Sequence, residues 1–316
     1  MPELDTLSAS DSDLILTLCV ATKTNTRGEW RRIAAAAKSG RKALDQVANK
    51  LLSPLAPTGN SLNTLFERHL TSVVAVRSQL EEHALRFWTI GEPGFPVALS
   101  RPVYGIPFVI RPQTVAAMHR EPLQSKLVGV ICPPDASLAL LGDLKQLIPR
   151  IVRSSVFIGA SSRYGLNTII HGPSLRRTNG TAFVVETGVL QMLRRMQLTP
   201  YSAGAMLHQI ITGGYLISSY WPTDAVGEPA KGSSRPHLLP LLARVGIVAP
   251  GSVDSTYAKT EVLQFIAAGT PVLLPYYFLT QPLWHKLVDS SHVIPYETIE
   301  DIPQLCGDVL RLGRTA

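Results

Sequence analysis

Beyond Ile90, short apolar runs alternate with longer amphipathic stretches. The runs Val103–Arg111, Lys126–Cys132, Ser154–Gly159, Thr181–Glu186, Tyr215–Tyr220, Val245–Pro250, Pro271–Tyr276 and His292–Pro295 predict strands. Helical spacing predicts helices over Ser137–Arg153, Leu166–Arg177, Ala203–Thr212, His237–Val245, Ser255–Ala268 and Gln281–Ser290. Strands separated by helical patterns of this length specify βαβ units. The fold class is therefore α/β, a mostly parallel sheet with helices on both faces. The near-continuous apolar character of the strands fits burial on both sides.

The first 90 residues have a different texture. Leu14, Ile15, Leu18 and Val20 form one apolar face, and Ile33–Ala37 lies between Arg31, Arg32 and Lys38. Over Ser61–Phe87, Leu62, Leu65, Phe66, Leu70, Val73, Val74 and Val76 recur at helical spacing. Pro54, Pro57, Gly59 and Asn60 interrupt the run. Residues 1–90 are thus expected to form a small helical domain and residues 91–316 the α/β domain, joined where Gly91, Pro93, Gly94 and Pro96 cluster. No internal repeat or low-complexity tract is present.

Composition narrows the possibilities. A chain of 316 residues that is 45% hydrophobic can bury a substantial core, and that hydrophobicity with modest net charge excludes disorder. No apolar run approaches the roughly 20 residues of a membrane span. Pro2, Glu3, Asp5, Asp11 and Asp13 stand where a secretory leader would carry basic residues. Cys19, Cys132 and Cys306 are far apart, which argues against a disulfide framework and against paired zinc ligands. The expectation is a cytoplasmic protein with no membrane partner, no metal and no cofactor.

In an open parallel sheet the ligand sits beyond the carboxyl ends of the strands. The first central strand runs into Cys132-Pro133-Pro134-Asp135, where a dinucleotide site would need glycines. Two prolines remove two N–H donors and stiffen the turn, which argues against NAD. The next turn, Gly159 through Arg163, Gly165 and Asn167, combines small residues, hydroxyls and an arginine. With Asn167 capping a helix that holds His171, it reads as an anion cradle or as a flexible loop with a capping residue. The formal charge is +7. Between Asp143 and Glu186 there is no acidic residue, while Lys145, Arg150, Arg153, Arg163, Arg176 and Arg177 lie in that stretch. A second basic segment holds Lys23, Arg27, Arg31, Arg32, Lys38, Arg41, Lys42 and Lys50 against Glu29 and Asp45. Two such segments are the footprint of a phosphate-backbone binder; the other reading is a solvated basic surface. Tyr164, Tyr215, Tyr220 and Trp221 fall near predicted strand ends, to stack bases or to pack. Packing is expected for Tyr215. No G-x-S-x-G elbow occurs, Glu186, Asp224, Glu228 and Asp254 are scattered, and Cys132 is expected to be buried. Catalysis is not predicted.

The order of segments resembles the DNA-processing protein A (DprA/Smf) family. Gly91-Glu92-Pro93-Gly94-Phe95-Pro96 is similar to its linker, and Pro107-Phe108-Val109-Ile110-Arg111 to its P-x-L-F-V-R-G strand. Ile158-Gly159 through Gly165-Leu166-Asn167 and His171 resembles S-G-x-A-x-G-I-D-x-x-x-H, and Gly213–Pro222 resembles G-G-x-L-x-S-E-Y-P-P. Arg235-Pro236-His237 falls where the family has R-N-R, and Ala268–Pro275 follows its Q-G-R-x-V-F-A-V-P segment. Cys132-Pro133-Pro134 replaces the family's G-S-R, so that DNA-contacting arginine is lost or supplied by Arg163. The resemblance implies an extended Rossmann-like core of the SLOG superfamily, without the C-terminal winged helix of many relatives. It implies a homodimer that binds single-stranded DNA and cooperates with a RecA-type recombinase or another protein, in DNA processing, recombination, mobile elements or antiphage defence. Joined to the basic segments, it places nucleic-acid contacts at Arg163, Gly165, Asn167, His171, Arg176, Arg177, Arg235 and His237, extended by Arg31, Arg32, Arg41 and Lys42. The alternatives are a sensor or enzyme for a nucleotide-derived small molecule, a scaffold subunit with a degenerate site, or half of a glycosyltransferase echoed in Glu261–Val272.

Overall fold

The computed structural model describes residues 10–22, 27–55, 62–92, 95, 99, 109–112, 127–132, 138–153, 157–160, 170, 181–185, 187–197, 215–218, 220–223 and 238–312. The chain divides into two compact units. One comprises Met1–Gln113, Thr187–Leu193 and Ser218–Pro236; the other comprises Thr114–Glu186, Arg194–Ile217 and His237–Ala316.

The second unit is built on a seven-stranded sheet: β3 (Leu127–Ile131), β4 (Phe157–Ala160), β5 (Thr181–Val185), β6 (Tyr215–Ser218), β7 (Val245–Val248), β8 (Val272–Pro275) and β9 (Val293–Tyr296). The order is β6-β5-β4-β3-β7-β8-β9, and every pair with a described register is parallel. Strand order reverses between β3 and β7, which defines the crevice where such sheets receive ligands. Strands β3, β5, β6, β7 and β8 are buried along their whole length. This parallel α/β architecture is the one expected from the alternation of apolar runs, and it agrees with the extended Rossmann-like core that the resemblance implies.

Side chains alternate across each strand, so the two faces are built differently. Val128, Val130 and Cys132 join Val245, Ile247 and Ala249 in one buried cluster. It takes in Leu144, Leu147, Ile148 and Ile151 of α5 (Leu138–Arg153) and Ile302, Cys306 and Leu310 of α9 (Ile302–Leu312). The opposite face carries the paired glycines Gly129 and Gly246. A Cβ on either would lie 2.7 or 2.8 Å from the ring of Phe265. Phe265 is fully buried on α8 (Thr256–Ala267), so its ring occupies the volume that two absent side chains leave. Ser255 caps α8 by accepting the Ala258 N–H at 3.1 Å.

All three cysteines are free and buried. Burial, with the nearby Glu261 carboxylate, pushes the Cys132 thiol up to about 12, and burial alone does the same for Cys306. Because folding favours the neutral thiols, their contribution is complete below the ordinary value of 9.0 and is lost as pH rises toward 12. In mildly alkaline buffer the native protein should therefore leave a thiol-disulfide reagent unconsumed. Denaturant should release three equivalents, matching Cys19, Cys132 and Cys306.

The first unit holds α1 (Asp11–Ala21), α2 (Arg27–Ser39), α3 (Arg41–Leu52) and α4 (Leu62–Glu82). Leu14 through Cys19 are buried on every side, which makes α1 the central helix. Ser10 caps it, accepting the Asp13 N–H at 3.1 Å, and Asp13 is ion-paired with Arg77 of α4. Leu44, Ala48 and Leu52 form the buried stripe of α3. Gly40, at φ +97°, ends α2 and starts α3 within one residue, a conformation that favours glycine.

Several elements depart from the expected ones. The helical pattern over Ser61–Phe87 ends at Glu82, and Leu85–Trp88 forms β1 instead. Its partner is β2 (Val109–Pro112), antiparallel, so the Val103–Arg111 run contributes to a two-stranded sheet and not to the parallel one. Large aromatic side chains at Phe87 and Trp88 suit a strand, and both are buried there. The expected helix over Gln281–Ser290 is replaced by a short 3₁₀ turn at His285–Leu287, which follows another at Tyr276–Thr280. Pro282 removes a donor, and the Trp284 indole N–H is drawn to the Val253 carbonyl at 2.6 Å. The His237–Val245 pattern yields the short α7 (Leu238–Leu242). Two helices were not anticipated, α6 (Val189–Gln197) and α9. The expected helices Leu166–Arg177 and Ala203–Thr212 lie outside the described residues, except Ile170, which is helical and buried.

Candidate nucleic-acid interface

In the first unit, α2 turns Ile33, Ala34 and Ala36 inward, which leaves Arg31, Arg32 and Lys38 exposed. On α3 the buried stripe likewise leaves Lys42, Gln46 and Lys50 exposed. Arg41 is different. It forks between Asp11, at 3.0 Å, and Asp45, also at 3.0 Å, and ties the start of α1 to α3. Its charge is compensated within the fold by these two carboxylates, and it is half-buried, while Arg31, Arg32 and Lys42 are exposed. In the second unit, Arg150 is paired with Glu300 at 2.6 Å. Arg163, Gly165, Asn167, His171, Arg176, Arg177, Arg235 and His237 lie outside the described residues, as do Tyr164, Glu186, Asp224 and Glu228.

The aromatic residues near strand ends sort by burial. Tyr215 is fully buried, in line with the packing expected of it. Trp221 stacks on Phe87, with ring centroids 5.3 Å apart and planes at 29°. The turn that carries it closes on the loop after β5. Ser218 donates to the Thr187 carbonyl at 2.7 Å and accepts the Tyr220 N–H at 3.0 Å. The Pro222 carbonyl accepts the Leu190 N–H at 2.9 Å and the Gln191 N–H at 3.3 Å, which satisfies donors at the start of α6. That helix terminus is thus occupied by the chain itself. A Cβ on Gly188 would collide with the Trp221 and Pro222 carbonyls and lie 2.6 Å from the Pro222 carbonyl carbon. Backbone cannot yield as a side chain can. Gly188→Ala should cost about 1–3 kcal/mol in urea unfolding, an overpacking penalty.

At the carboxyl ends of β7 and β8, other groups converge. Tyr277 donates its hydroxyl to the Pro250 carbonyl at 2.7 Å, and Tyr296 donates to the Val248 carbonyl at 2.7 Å. Glu261 is 4% exposed and accepts a hydrogen bond from the Tyr257 hydroxyl at 3.0 Å. Tyr276 and Tyr277 directly follow β8, and sequence reasoning passed over them. The signal was their place just past a strand end, hidden because two tyrosines read as a continuation of the strand. Among the described residues, no group of three His, Cys, Asp or Glu side chains is placed to hold a metal. No described helix is long and apolar enough to cross a membrane.

Comparison with solved structures aligns this arrangement with DNA processing protein A from Streptococcus pneumoniae, at a TM-score of 0.54 and 15% identity. The alignment covers 90% of this chain and 95% of that one. The chain has the fold of DNA processing protein A. A second similar structure is DNA processing protein A from Helicobacter pylori, described for its single-stranded DNA binding mode, with a TM-score of 0.48, 14% identity, and 71% of this chain and 96% of that chain covered. A third is the molybdenum cofactor carrier protein of Chlamydomonas reinhardtii, with a TM-score of 0.38, 14% identity, and 59% and 99% covered. No protein-family model and no curated protein matches the sequence. The shared fold spans both the helical region and the α/β core that the sequence motifs pointed to.

Proposed function

We propose that this chain is a DprA-like nucleic-acid-binding protein that prefers single-stranded DNA and acts without catalysis. Its setting is cytoplasmic DNA processing, recombination, or a mobile-element or antiphage defence system. The observation that carries the reading is the exposed cationic face of α2 and α3, with Arg31, Arg32 and Lys42 outward, in a chain whose fold is shared along 90% of its length with a DNA-processing protein. In the second unit, Arg163, Gly165, Asn167, His171, Arg176, Arg177 and His237 hold phosphates at the strand ends. Arg235 also contacts phosphate, while Arg41 orients the helical face. Phosphate contacts of this kind give affinity without sequence preference. A single strand also leaves base faces open for stacking, which a duplex does not. The protein acts as a homodimer and hands its DNA to a RecA-type recombinase or another protein partner.

A labelled single strand, challenged with unlabelled single-stranded or duplex competitor at fixed salt, tests this. The single strand should compete better by about tenfold or more, a margin set by base stacking. Equal competition would contradict the stated preference.

A further inference from the structure

We propose that Tyr276 and Tyr277 form a nucleobase-stacking ledge beside the crevice where the strand order reverses. The two residues follow β8 directly and are 56% and 45% exposed. Among the described residues, the other large exposed apolar side chains, Leu55, Val74, Leu263 and Val288, stand singly on separate segments, as is ordinary for a protein surface. The tyrosines are adjacent, and they sit at the carboxyl end of a strand that neighbours the switch point between β3 and β7.

The ledge is anchored. The Tyr277 hydroxyl donates to the Pro250 carbonyl, just past β7, at 2.7 Å. Its ring meets Phe278 edge-on, with centroids 4.9 Å apart and planes at 76°. Phe278 packs on Trp284 at 4.9 Å, and the Trp284 indole is fixed by the Val253 carbonyl. A ring held from several sides loses little freedom when a base stacks on it.

Charge selects which part of a nucleotide goes there. Partial burial, then the negative charge of Asp143 and Asp254, raise the Tyr277 pKa. Carboxylates repel phosphate and accept hydrogen bonds from the N–H groups of bases. A base is therefore favoured at this ledge, with its phosphate turned away from these carboxylates. This rests on the reading of the chain as a nucleic-acid binder. The ligand chemistry, a nucleobase, is common to a single strand and a free nucleotide.

The test uses the full chain with an oligothymidylate strand and an abasic strand of equal length, at one salt concentration. Wild type should bind the base-bearing strand about tenfold more tightly. Tyr276→Ala/Tyr277→Ala should lose that difference and keep its salt dependence. Tyr276→Ala alone, at an exposed position, should lose about fivefold and needs no refolding of the anchor. Tyr277→Phe keeps the ring and loses only its bond to Pro250, so it should retain most of the preference for bases, losing less than either alanine variant. If the alanine variants keep the full preference for bases, the ledge is overturned. If wild type binds neither strand, calorimetry with thymidine monophosphate separates the two claims. Binding lost in the alanine variants upholds the ledge and overturns the polymer reading, and absence of binding overturns both.

Discussion

Phe265→Ala should destabilise the protein by about 3–5 kcal/mol, the range for removing a buried aromatic ring. The loss should be at the upper end because of what surrounds the ring. Gly129 and Gly246 are paired across β3 and β7, and neither has a side chain to move into the space. Relaxation is then left to the Ile131 and Ala243 side chains that border the space and to the backbone of two central strands, which their ladder holds in place. The expected result in urea is a lower midpoint with an unchanged slope. Because Phe265 fixes α8, and Ser255 caps that helix beside the crevice, the variant should also bind nucleic acid more weakly at temperatures where it is still folded. A loss below about 1 kcal/mol would mean that the pocket collapses freely, contrary to the packing described.

The parallel sheet was legible because parallel strands buried on both faces are apolar throughout, and such runs stand out against any background; the strand order, with its reversal at β3–β7, was not. What hid from the sequence was geometry set by distant partners. Leu85–Trp88 continues the apolar spacing of α4, and only its pairing with Val109–Pro112 makes it a strand. The α9 helix was missed because its signal is a stripe, Ile302, Cys306 and Leu310, preceded by Asp301. Asp301 accepts the Thr298 N–H at 2.8 Å and the Glu297 N–H at 3.2 Å, bonds that hold its carboxyl below the usual range. Arg41 looked equivalent to Arg31 and Arg32 in a basic run. Its partner Asp45 was visible at helical spacing, but Asp11, thirty positions away, was not. Charge counts along a chain read cations; only the fold shows that Arg41 is held between two carboxylates.

Alanine at Arg163, Arg176 and Arg177 together should weaken binding to a single strand by about tenfold or more at physiological salt. The effect should be uniform across sequences, since phosphate contacts carry no sequence information. It should also be electrostatic in kind. Each phosphate contact on a single strand contributes about 0.7 to the log–log salt slope, so the triple variant should lose about 2 from it. Thermal stability should change little if these side chains serve binding. An unchanged affinity in a folded triple variant would move the interface to the helical unit alone.

The central claim is that cations from separate parts of the chain hold a polyanion. The most direct measurement is the affinity of the wild-type protein for a labelled single strand across a series of salt concentrations. With Arg31, Arg32, Lys42, Arg163, Arg176, Arg177 and Arg235 engaged, log Kd should rise steeply with log salt, with a slope of about 5. A slope near zero, or no measurable binding at low salt, would contradict the account.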